Sequence, residues 1–366
     1  MVRFLRRVSR WVHPVPLVFL LFGIAAAGIN VSYVRSAAFA DAFNGSVSAG
    51  IRVFLAKLTG WIPFSLAEFI VLASPVIAAV TIAVAVRRGS RSGRFFVRTL
   101  TGLLSVGVLL YGLFVFAFGA GYRTTSLDKK LGLDREKVTV EELASTARIV
   151  VRELNGLADD VMLIRDRGSI RPYSHKESVA LCLDSYAELS DRYGFLAKLN
   201  APVKELVTSD LMTYTHISGM YTFFTGEANL NTNYPFYVNV FTTAHEMAHQ
   251  RGIARENEAN FMAFLVCINS DDAFMQYAGY LNMYEYLMSA LSSEKELRRE
   301  INAELDVGVR YDLACYSEFF EKYRSNAAAT VSNTVNNTYL VMQGTEGAKS
   351  YGLVVDLAVA YYRGQQ

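Results

Sequence analysis

The sequence has little net charge, little cysteine and little histidine. Its 366 residues carry a formal charge of only +2, which offers no broad basic surface and argues against nucleic-acid binding. The cysteines Cys182, Cys267 and Cys315 are odd in number and lie in separate apolar stretches. We therefore expect small buried side chains and no disulfide framework.

Apolar residues are in excess, with 52% hydrophobic content, and they are concentrated in the first third of the chain. Residues 15–34, 69–86 and 99–122 contain no charged side chain. Each run approaches or exceeds the roughly 20 residues that a helix needs to cross a hydrocarbon core. This pattern predicts three transmembrane helices.

We expect a membrane domain over residues 1–122, in contact with the lipid bilayer, and an extramembrane domain over residues 123–366. The second part is long enough to have its own hydrophobic core. The predicted spans are about 15–34, 64–86 and 99–122.

Basic residues at the ends of the apolar runs predict the orientation of the chain. The loop between the first two spans, residues 35–63, holds only three basic residues. Arginines cluster instead before the first span and between the second and third, at Arg3, Arg6, Arg7, Arg10, Arg87, Arg88, Arg91, Arg94 and Arg98. By the positive-inside rule these clusters are cytoplasmic. The expectation is a multi-pass cell-membrane protein with a cytoplasmic amino terminus and an extracytoplasmic carboxyl-terminal domain.

The outer loop also carries a short amphipathic pattern. Apolar residues alternate there with Arg52 and Lys57 in a way that suits a helix lying at the membrane interface. They are Ile51, Val53, Phe54, Leu58 and Trp61.

The most specific motif is His245-Glu246-Met247-Ala248-His249, which has the form H-E-x-x-H. On a helix, His245 and His249 lie one turn apart on one face, so both imidazoles can bind one Zn²⁺ ion. Glu246 then lies beside the water that the metal activates and is expected to take its proton. Gly252 follows as a helix stop, and a second helix with an acidic start is predicted from Arg255.

Two glutamates in that second helix are candidates for a third metal ligand. Glu256 and Glu258 point in directions about 200° apart on an α-helix, so one of them should face the metal. We favour Glu256, because Asn260 follows on the same face and can hydrogen-bond a ligand histidine. Glu258 remains the alternative ligand.

The motif and its surroundings resemble known zinc sites. Glu256-x-x-Ala259-Asn260 is similar to an element of membrane-embedded prenyl-protein peptidases, within the gluzincin type of zinc metallopeptidase. The longer string 242–252, followed by Glu256 to Phe261, resembles an uncharacterised bacterial membrane family catalogued as domain of unknown function 3810. The resemblance implies three spans and a metallopeptidase activity, but no substrate.

The remainder of the chain is predicted to be chiefly helical. Thr139 with Glu142, and Ser174 with Glu177, have the spacing of capping boxes that open amphipathic helices. Further helices are predicted over 273–291, 294–324 and 350–362. The fold class expected is therefore mainly α: three membrane helices and a zincin-like helical domain.

A segment rich in glycine, asparagine and aromatics, residues 218–241, interrupts this helical pattern. It predicts a short strand or hairpin before the zinc helix. Such a strand can bind an extended peptide by backbone pairing, and packing of the aromatics inside the domain is the alternative. The candidate substrate-binding residues are Tyr221, Phe223, Glu227 and Asn229.

These observations predict a zinc-dependent membrane metallopeptidase that hydrolyses peptide bonds of exported or envelope proteins. The alternative is a zinc-binding membrane receptor or scaffold without turnover. Three residues are candidates for stabilising an oxyanion, Tyr339, Tyr351 and His216. His216 and His175 lack metal-ligand spacing, which favours core or surface roles. The sequence leaves the substrate, its cleavage specificity and the oligomeric state open.

Overall fold

Helices make up most of the first third of the chain. The computed structural model describes residues 13–89, 93–161, 168–324, 326–347 and 353–364. The elements of this first part are α1 Pro14–Arg35, α2 Ala37–Phe43, a π-helical turn Asn44–Ser48, α3 Ala49–Gly60, α4 Leu66–Gly89, α5 Gly93–Ala117 and a 3-10 turn Gly119–Arg123. Some residues singled out above lie outside the described residues: Arg3, Arg6, Arg7, Arg10, Arg91 and Tyr351.

Three of these helices, α1, α4 and α5, are long and apolar enough to cross a membrane. The mean hydropathy of their most apolar windows is 2.1, 2.6 and 2.2. The third helix differs from its predicted bounds of 99–122, because it begins within the arginine-containing segment at Gly93. It ends at Ala117, where Phe118 leaves the helical conformation at φ −140° and a 3-10 turn follows. A charge-free run therefore locates the span but not the ends of its helix.

The loop between the first two candidate spans contains the predicted short helix, as α3, and a second helix, α2. Phe54, Leu58 and Trp61 are exposed, as expected for a helix at an interface. Arg52 is a correction to that pattern, because it is buried rather than on a polar face. Its guanidinium donates hydrogen bonds to Asn44 Oδ1 at 2.9 Å and to Ala117 O at 2.8 Å, which compensates the burial of its charge.

The contact pattern divides the chain into two compact units. The first comprises Met1–Thr124 and Thr222–Glu227, and the second comprises Thr125–Tyr221 and Ala228–Gln366. The first unit thus includes a short segment of the region predicted to be extramembrane. That segment is the turn of a hairpin described below.

The second unit is mainly helical and has one small sheet. Its elements, which include Thr222 and Glu227 of the first unit only as the ends of β2 and β3, are α6 Leu127–Leu131, α7 Val140–Val161, α8 His175–Arg192, β1 Val203–Glu205, α9 Ser209–Thr213, β2 Gly219–Thr222, β3 Glu227–Leu230, α10 Phe236–Gln250, α11 Glu256–Ile268, α12 Ala273–Ala290, α13 Lys295–Ala303, α14 Val307–Glu321, α15 Ala327–Met342 and α16 Val354–Arg363. The strand order is β1-β3-β2, with β1 parallel to β3. The predicted hairpin is therefore present as β2 and β3, and among the described residues β2 is an edge strand.

Both predicted capping boxes are present. The Thr139 amide donates to Glu142 Oε2 at 2.9 Å and the Glu142 amide donates to Thr139 Oγ1 at 3.2 Å, at the start of α7. Ser174 and Glu177 form the same reciprocal pair at the start of α8. Each pair satisfies amides that the first turn of a helix leaves without an intrahelical partner.

The core of the second unit is formed by α10, α11 and α12, with α7 packed along α12. Almost every residue of α11 is buried, including Phe261, Met262 and Phe264, so this helix is enclosed by its neighbours. Cys182 and Cys267 are buried in this core as expected, whereas Cys315 is only partly buried. The enclosure gives α10 and α11 fixed positions, and the site residues lie on these two helices.

Candidate metal centre

The H-E-x-x-H residues occupy the last turns of α10, a helix that is buried along almost its whole length. The chain turns sharply after it. Gly252 has φ +93°, a left-handed conformation that favours glycine. The Ile253 amide donates to Ala248 O at 3.1 Å, which closes the turn. The second helix, α11, then begins at Glu256. The predicted helix stop at Gly252 is thus present.

The turn brings His245, His249 and Glu256 together. Glu256 Oε2 lies 3.3 Å from His245 Nε2 and 3.7 Å from His249 Nε2. All three donor atoms lie within 4.8 Å of one another. Tetrahedral zinc with ligand bonds of about 2.1 Å places its ligand atoms roughly 3.4 Å apart. The spacing of the two nitrogens from the carboxylate oxygen therefore fits a zinc ion.

The orientation of His249 suits a metal ligand. Its Nδ1 lies 2.7 Å from Ile253 O, and a backbone carbonyl at this distance accepts the Nδ1 hydrogen. When the imidazole is neutral, its lone pair is then on Nε2, the nitrogen that faces Glu256. Burial lowers the pKa of His249, but in the metal-free site the charge of Glu256 outweighs burial and raises this pKa to about 9. A metal ion that binds Nε2 would therefore displace a proton from it. The pKa of Glu256 is lowered by the histidines against the opposing effect of burial, so Glu256 is a carboxylate, the form that a metal ligand requires.

Glu258 faces away from this cluster. Its Oε1 accepts a hydrogen bond from the Leu127 amide at 3.0 Å and one from Arg255 Nη1 at 2.7 Å. These bonds connect the start of α11 to α6. Of the two glutamates left open by the sequence, the structure brings Glu256 to the histidines and gives Glu258 a structural role.

Glu246 lies beside the cluster without belonging to it. Its side chain is buried, and its Oε2 has no hydrogen-bond partner among the described residues. The Tyr221 backbone amide donates a hydrogen bond to the same carboxylate. Burial raises the pKa of Glu246 in spite of the neighbouring His245 and His249. A buried carboxylate with an open acceptor atom is suited to accepting a proton from a water molecule.

Strand β2 passes directly over Glu246. A Cβ atom on Gly219 would lie 2.6 Å from Thr242 Cγ2 and 2.7 Å from Glu246 Oε1, closer than non-bonded atoms normally approach. Only glycine therefore fits at this position without a shift of the neighbours. Thr242 Oγ1 also donates to Ser218 Oγ at 3.2 Å, which fixes the start of the strand on α10.

Asn260 is buried one turn after Glu256, but it does not make the predicted hydrogen bond to a histidine. Its Nδ2 has no partner among the described residues. His249 is instead oriented by the Ile253 carbonyl at the glycine turn. Sequence reasoning missed this partner because backbone carbonyls leave no residue-type signal.

The four candidate substrate-binding residues have different surroundings. Tyr221 lies on β2 and reaches Glu246 through its backbone amide. Asn229 is fully buried, and its Nδ2 donates to Met220 O at 3.0 Å, which braces the hairpin. Phe223 packs edge-on against Phe114, with ring centroids 5.5 Å apart. Glu227 accepts hydrogen bonds from the Leu66 and Ala67 amides. The side chains of Phe223, Glu227 and Asn229 are thus engaged by other parts of the protein.

The isolated histidines lie in structural positions. His175 is buried against the ring of Phe236, and burial lowers its pKa. His216 has φ +61°, and its Nε2 lies 2.7 Å from Tyr323 O. That contact occupies the nitrogen that an oxyanion would need.

Two tyrosines differ in their position relative to the helix that carries the histidines. Tyr339 lies on α15, whereas Tyr286 on α12 packs against Phe241, with ring centroids 6.4 Å apart. Phe241 lies one turn before His245. The pKa of Tyr286 is raised by burial and then by the charges of Glu285 and Glu256. With 21 tyrosines in the chain, only the packing of α12 on α10 distinguishes Tyr286.

Fold and site together define a mainly helical protein with three candidate membrane spans and a His-His-Glu cluster of metal-ligand type. The chain belongs to the family described as "Protein of unknown function (DUF3810)", whose model matches residues 43–359. The match covers the second and third candidate spans and the whole cluster. No curated protein and no solved structure matches the chain.

Proposed function

We propose that this protein is a membrane-anchored zinc metallopeptidase that hydrolyses peptide bonds of exported or envelope proteins. The observation that carries the proposal is the position of Glu246. It is a buried carboxylate with an unpartnered oxygen beside three metal-ligand side chains. A purely structural metal site has no need of such a group.

His245, His249 and Glu256 would hold the zinc ion. When bound, zinc lowers the pKa of a coordinated water and polarises a substrate carbonyl. Glu246 takes the proton of the attacking water on its open Oε2. The same carboxyl group then donates the proton to the leaving amine. Glu246 thereby acts first as general base and then as general acid.

Strand β2 supplies a place for the substrate backbone. It is an edge strand among the described residues, and an edge strand can pair with an extended peptide through its backbone groups. Because Gly219 and Tyr221 of this strand both contact Glu246, a peptide paired with β2 lies close to the general base. This arrangement favours a peptide over a small ester or amide.

The distribution of arginines supports the substrate location. Among the described residues, Arg87 and Arg88 lie in the last turn of α4, and Arg94 and Arg98 lie in the first turns of α5. With these arginine-rich helix ends on the cytoplasmic side, the domain after the third span lies on the extracytoplasmic side of the membrane. Its substrates would then be exported or envelope proteins.

The rival function is a zinc-binding receptor or scaffold without turnover. A structural zinc site uses four protein ligands, whereas a catalytic site uses three and leaves the fourth position for water. Among the described residues, the histidine, cysteine and acidic side chains that converge here are three. This count favours the enzyme.

The test is hydrolysis of a proteome-derived peptide library by the full chain in detergent, read by mass spectrometry. Wild type should cleave, chelation should abolish cleavage and added zinc should restore it. Glu246→Gln should keep one zinc per chain and lose at least about a hundredfold in rate, the range expected for a general base. Glu141→Gln, which alters an exposed glutamate on α7, should behave like wild type. Wild-type turnover by Glu246→Gln would reject the assignment.

A further inference from the structure

The turn of the β2–β3 hairpin, residues 222–227, is part of the first unit. It is tightly fitted there. Gly226 has φ +71°, and a Cβ atom at this position would lie 2.7 Å from Leu55 Cβ and 2.8 Å from Ala56 N. Thr59 Oγ1 donates to Thr225 O at 3.2 Å. These contacts hold the turn against α3.

Glu227 connects this turn to the first turn of α4. Its side chain is only 2% exposed. Oε1 accepts a hydrogen bond from the Leu66 amide at 3.1 Å, and Oε2 accepts one from the Ala67 amide at 2.8 Å. Both amides belong to the first turn of α4, where backbone donors lack intrahelical partners and the helix dipole favours a negative charge. The carboxylate therefore fixes the turn to the amino-terminal end of the second candidate span.

The helix has a cap of its own, so it does not depend on Glu227 to begin. Ser65 Oγ accepts a hydrogen bond from the Glu68 amide at 3.0 Å, which is the usual arrangement of a serine cap. The bonds from Leu66 and Ala67 are additional to this cap. Loss of these two bonds should therefore affect the position of the hairpin more than the start of the helix.

The same hairpin contacts the general base through β2. Gly219 packs against Glu246, and the Tyr221 amide donates to its carboxylate. Tyr221 is the residue before the turn segment begins at Thr222. A shift of the turn would therefore move the amide that orients Glu246.

We propose that Glu227 is a positioning residue for the reaction at Glu246, acting through the hairpin. By binding the first turn of α4, it sets the placement of β2, and β2 sets the orientation of Glu246. The inference rests on the proposed hydrolytic function. The anchor of the hairpin turn is the first turn of a candidate transmembrane helix.

The test compares Glu227→Gln with Ser65→Ala in the full chain, using the best-cleaved peptide of the library. Glutamine keeps one acceptor oxygen but turns an NH₂ group toward the second amide. We expect kcat to fall about tenfold, the effect of losing one charge-assisted hydrogen bond, with zinc still at one per chain. KM should change less than kcat. Amide hydrogen exchange of residues 218–222 should become faster. Ser65→Ala weakens the same helix end and should leave both kcat and this exchange unchanged.

A double-mutant cycle tests whether the bond to α4 is the route. Leu66→Pro removes one donor at a position where proline is tolerated in a helix, and Leu66→Ala controls for loss of the side chain. In Glu227→Gln, the glutamine oxygen can still accept from the Ala67 amide, while its NH₂ group faces the Leu66 amide. Leu66→Pro removes that second amide, so the double variant should be no slower than Glu227→Gln alone. Additive losses would overturn the proposal. The proposal would also be overturned if Glu227→Gln had the kcat and hydrogen exchange of wild type, or if its changes in both were the same as those of Ser65→Ala.

The outcomes separate the two proposals. If wild type cleaves no peptide in the library and Glu246→Gln has no effect, the proposed peptidase function fails. The hydrogen-exchange comparison still decides whether Glu227 holds β2 in place. If Glu246→Gln is inactive while Glu227→Gln exchanges and turns over like wild type, the peptidase stands and the positioning role fails.

Discussion

Glu256 and Glu258 differ in what their carboxylates contact, although they are two residues apart. Glu256 Oε2 lies between two imidazole nitrogens, whereas Glu258 accepts hydrogen bonds from Leu127 and Arg255. Glu256→Gln should therefore lower zinc affinity by more than the 10–100-fold that loss of an outer partner costs. Zinc per chain, measured by plasma mass spectrometry after dialysis, checks this expectation.

Glu258→Gln is the matched control for that change. It should retain zinc and lower the melting temperature, because loss of a buried charged acceptor costs about 1–3 kcal/mol. The opposite result, zinc lost in Glu258→Gln and kept in Glu256→Gln, would exchange the roles of the two residues.

For individual residues, the sequence predicted which side chains form the cluster but not their hydrogen-bond partners. The H-E-x-x-H spacing and Gly252 were sufficient to predict that His245, His249 and a following glutamate would meet. The partners of these residues come from elsewhere or from the backbone: Leu127 lies 131 positions before Glu258, and His249 is oriented by a carbonyl. Neither partner can be predicted from the spacing of residues near the motif.

Strand β2 packs closely against Glu246, the proposed general base. Gly219→Ala would place a methyl group 2.7 Å from Glu246 Oε1, so the strand or the carboxylate must move. We expect kcat to fall by about ten- to a hundredfold, since a displacement of about 1 Å at a catalytic group can cost that much. Zinc content should be unchanged. Steady-state kinetics on the cleaved peptide gives the result.

Gly156→Ala is the control for this substitution. A Cβ atom on Gly156, within α7, would meet nothing within 4 Å among the described residues outside its own helix backbone. Alanine there should stabilise the helix by about 0.5–1 kcal/mol and leave kcat unchanged. Equal kinetics for the two alanine variants would show that β2 does not position Glu246.

The elements that the sequence predicted best are those with local signals. Capping residues marked the starts of α7 and α8, and the glycine-rich segment marked the hairpin. The run 294–324 was wrong as a single helix, because Asp306 caps a new helix by accepting a hydrogen bond from the Gly308 amide. Strand β1 and helix α15 were not predicted. A three-residue strand has too few positions to show an alternating pattern, and it forms only because β3 is beside it.

For the whole molecule, the predicted orientation can be tested by cysteine labelling. Ser293→Cys, in the exposed link between α12 and α13, should react with a membrane-impermeant maleimide in intact spheroplasts. Arg94→Cys, at the start of α5, should react only after the membrane is permeabilised. Wild type gives the background, since Cys182 and Cys267 are buried and Cys315 is partly so. Labelling of position 94 in intact spheroplasts and of position 293 only after permeabilisation would reverse the topology and the proposed substrates.

The most direct test of the central claim is X-ray absorption at the zinc K-edge of the purified full chain. We predict one zinc ion per chain, bound by two imidazole nitrogens and by oxygen ligands at about 2.0–2.2 Å. The oxygen ligands are one from Glu256 and one from water, and the spectrum should be the same in Glu246→Gln. Absence of bound zinc, a sulfur ligand at about 2.3 Å or a site filled by four protein ligands would contradict the account.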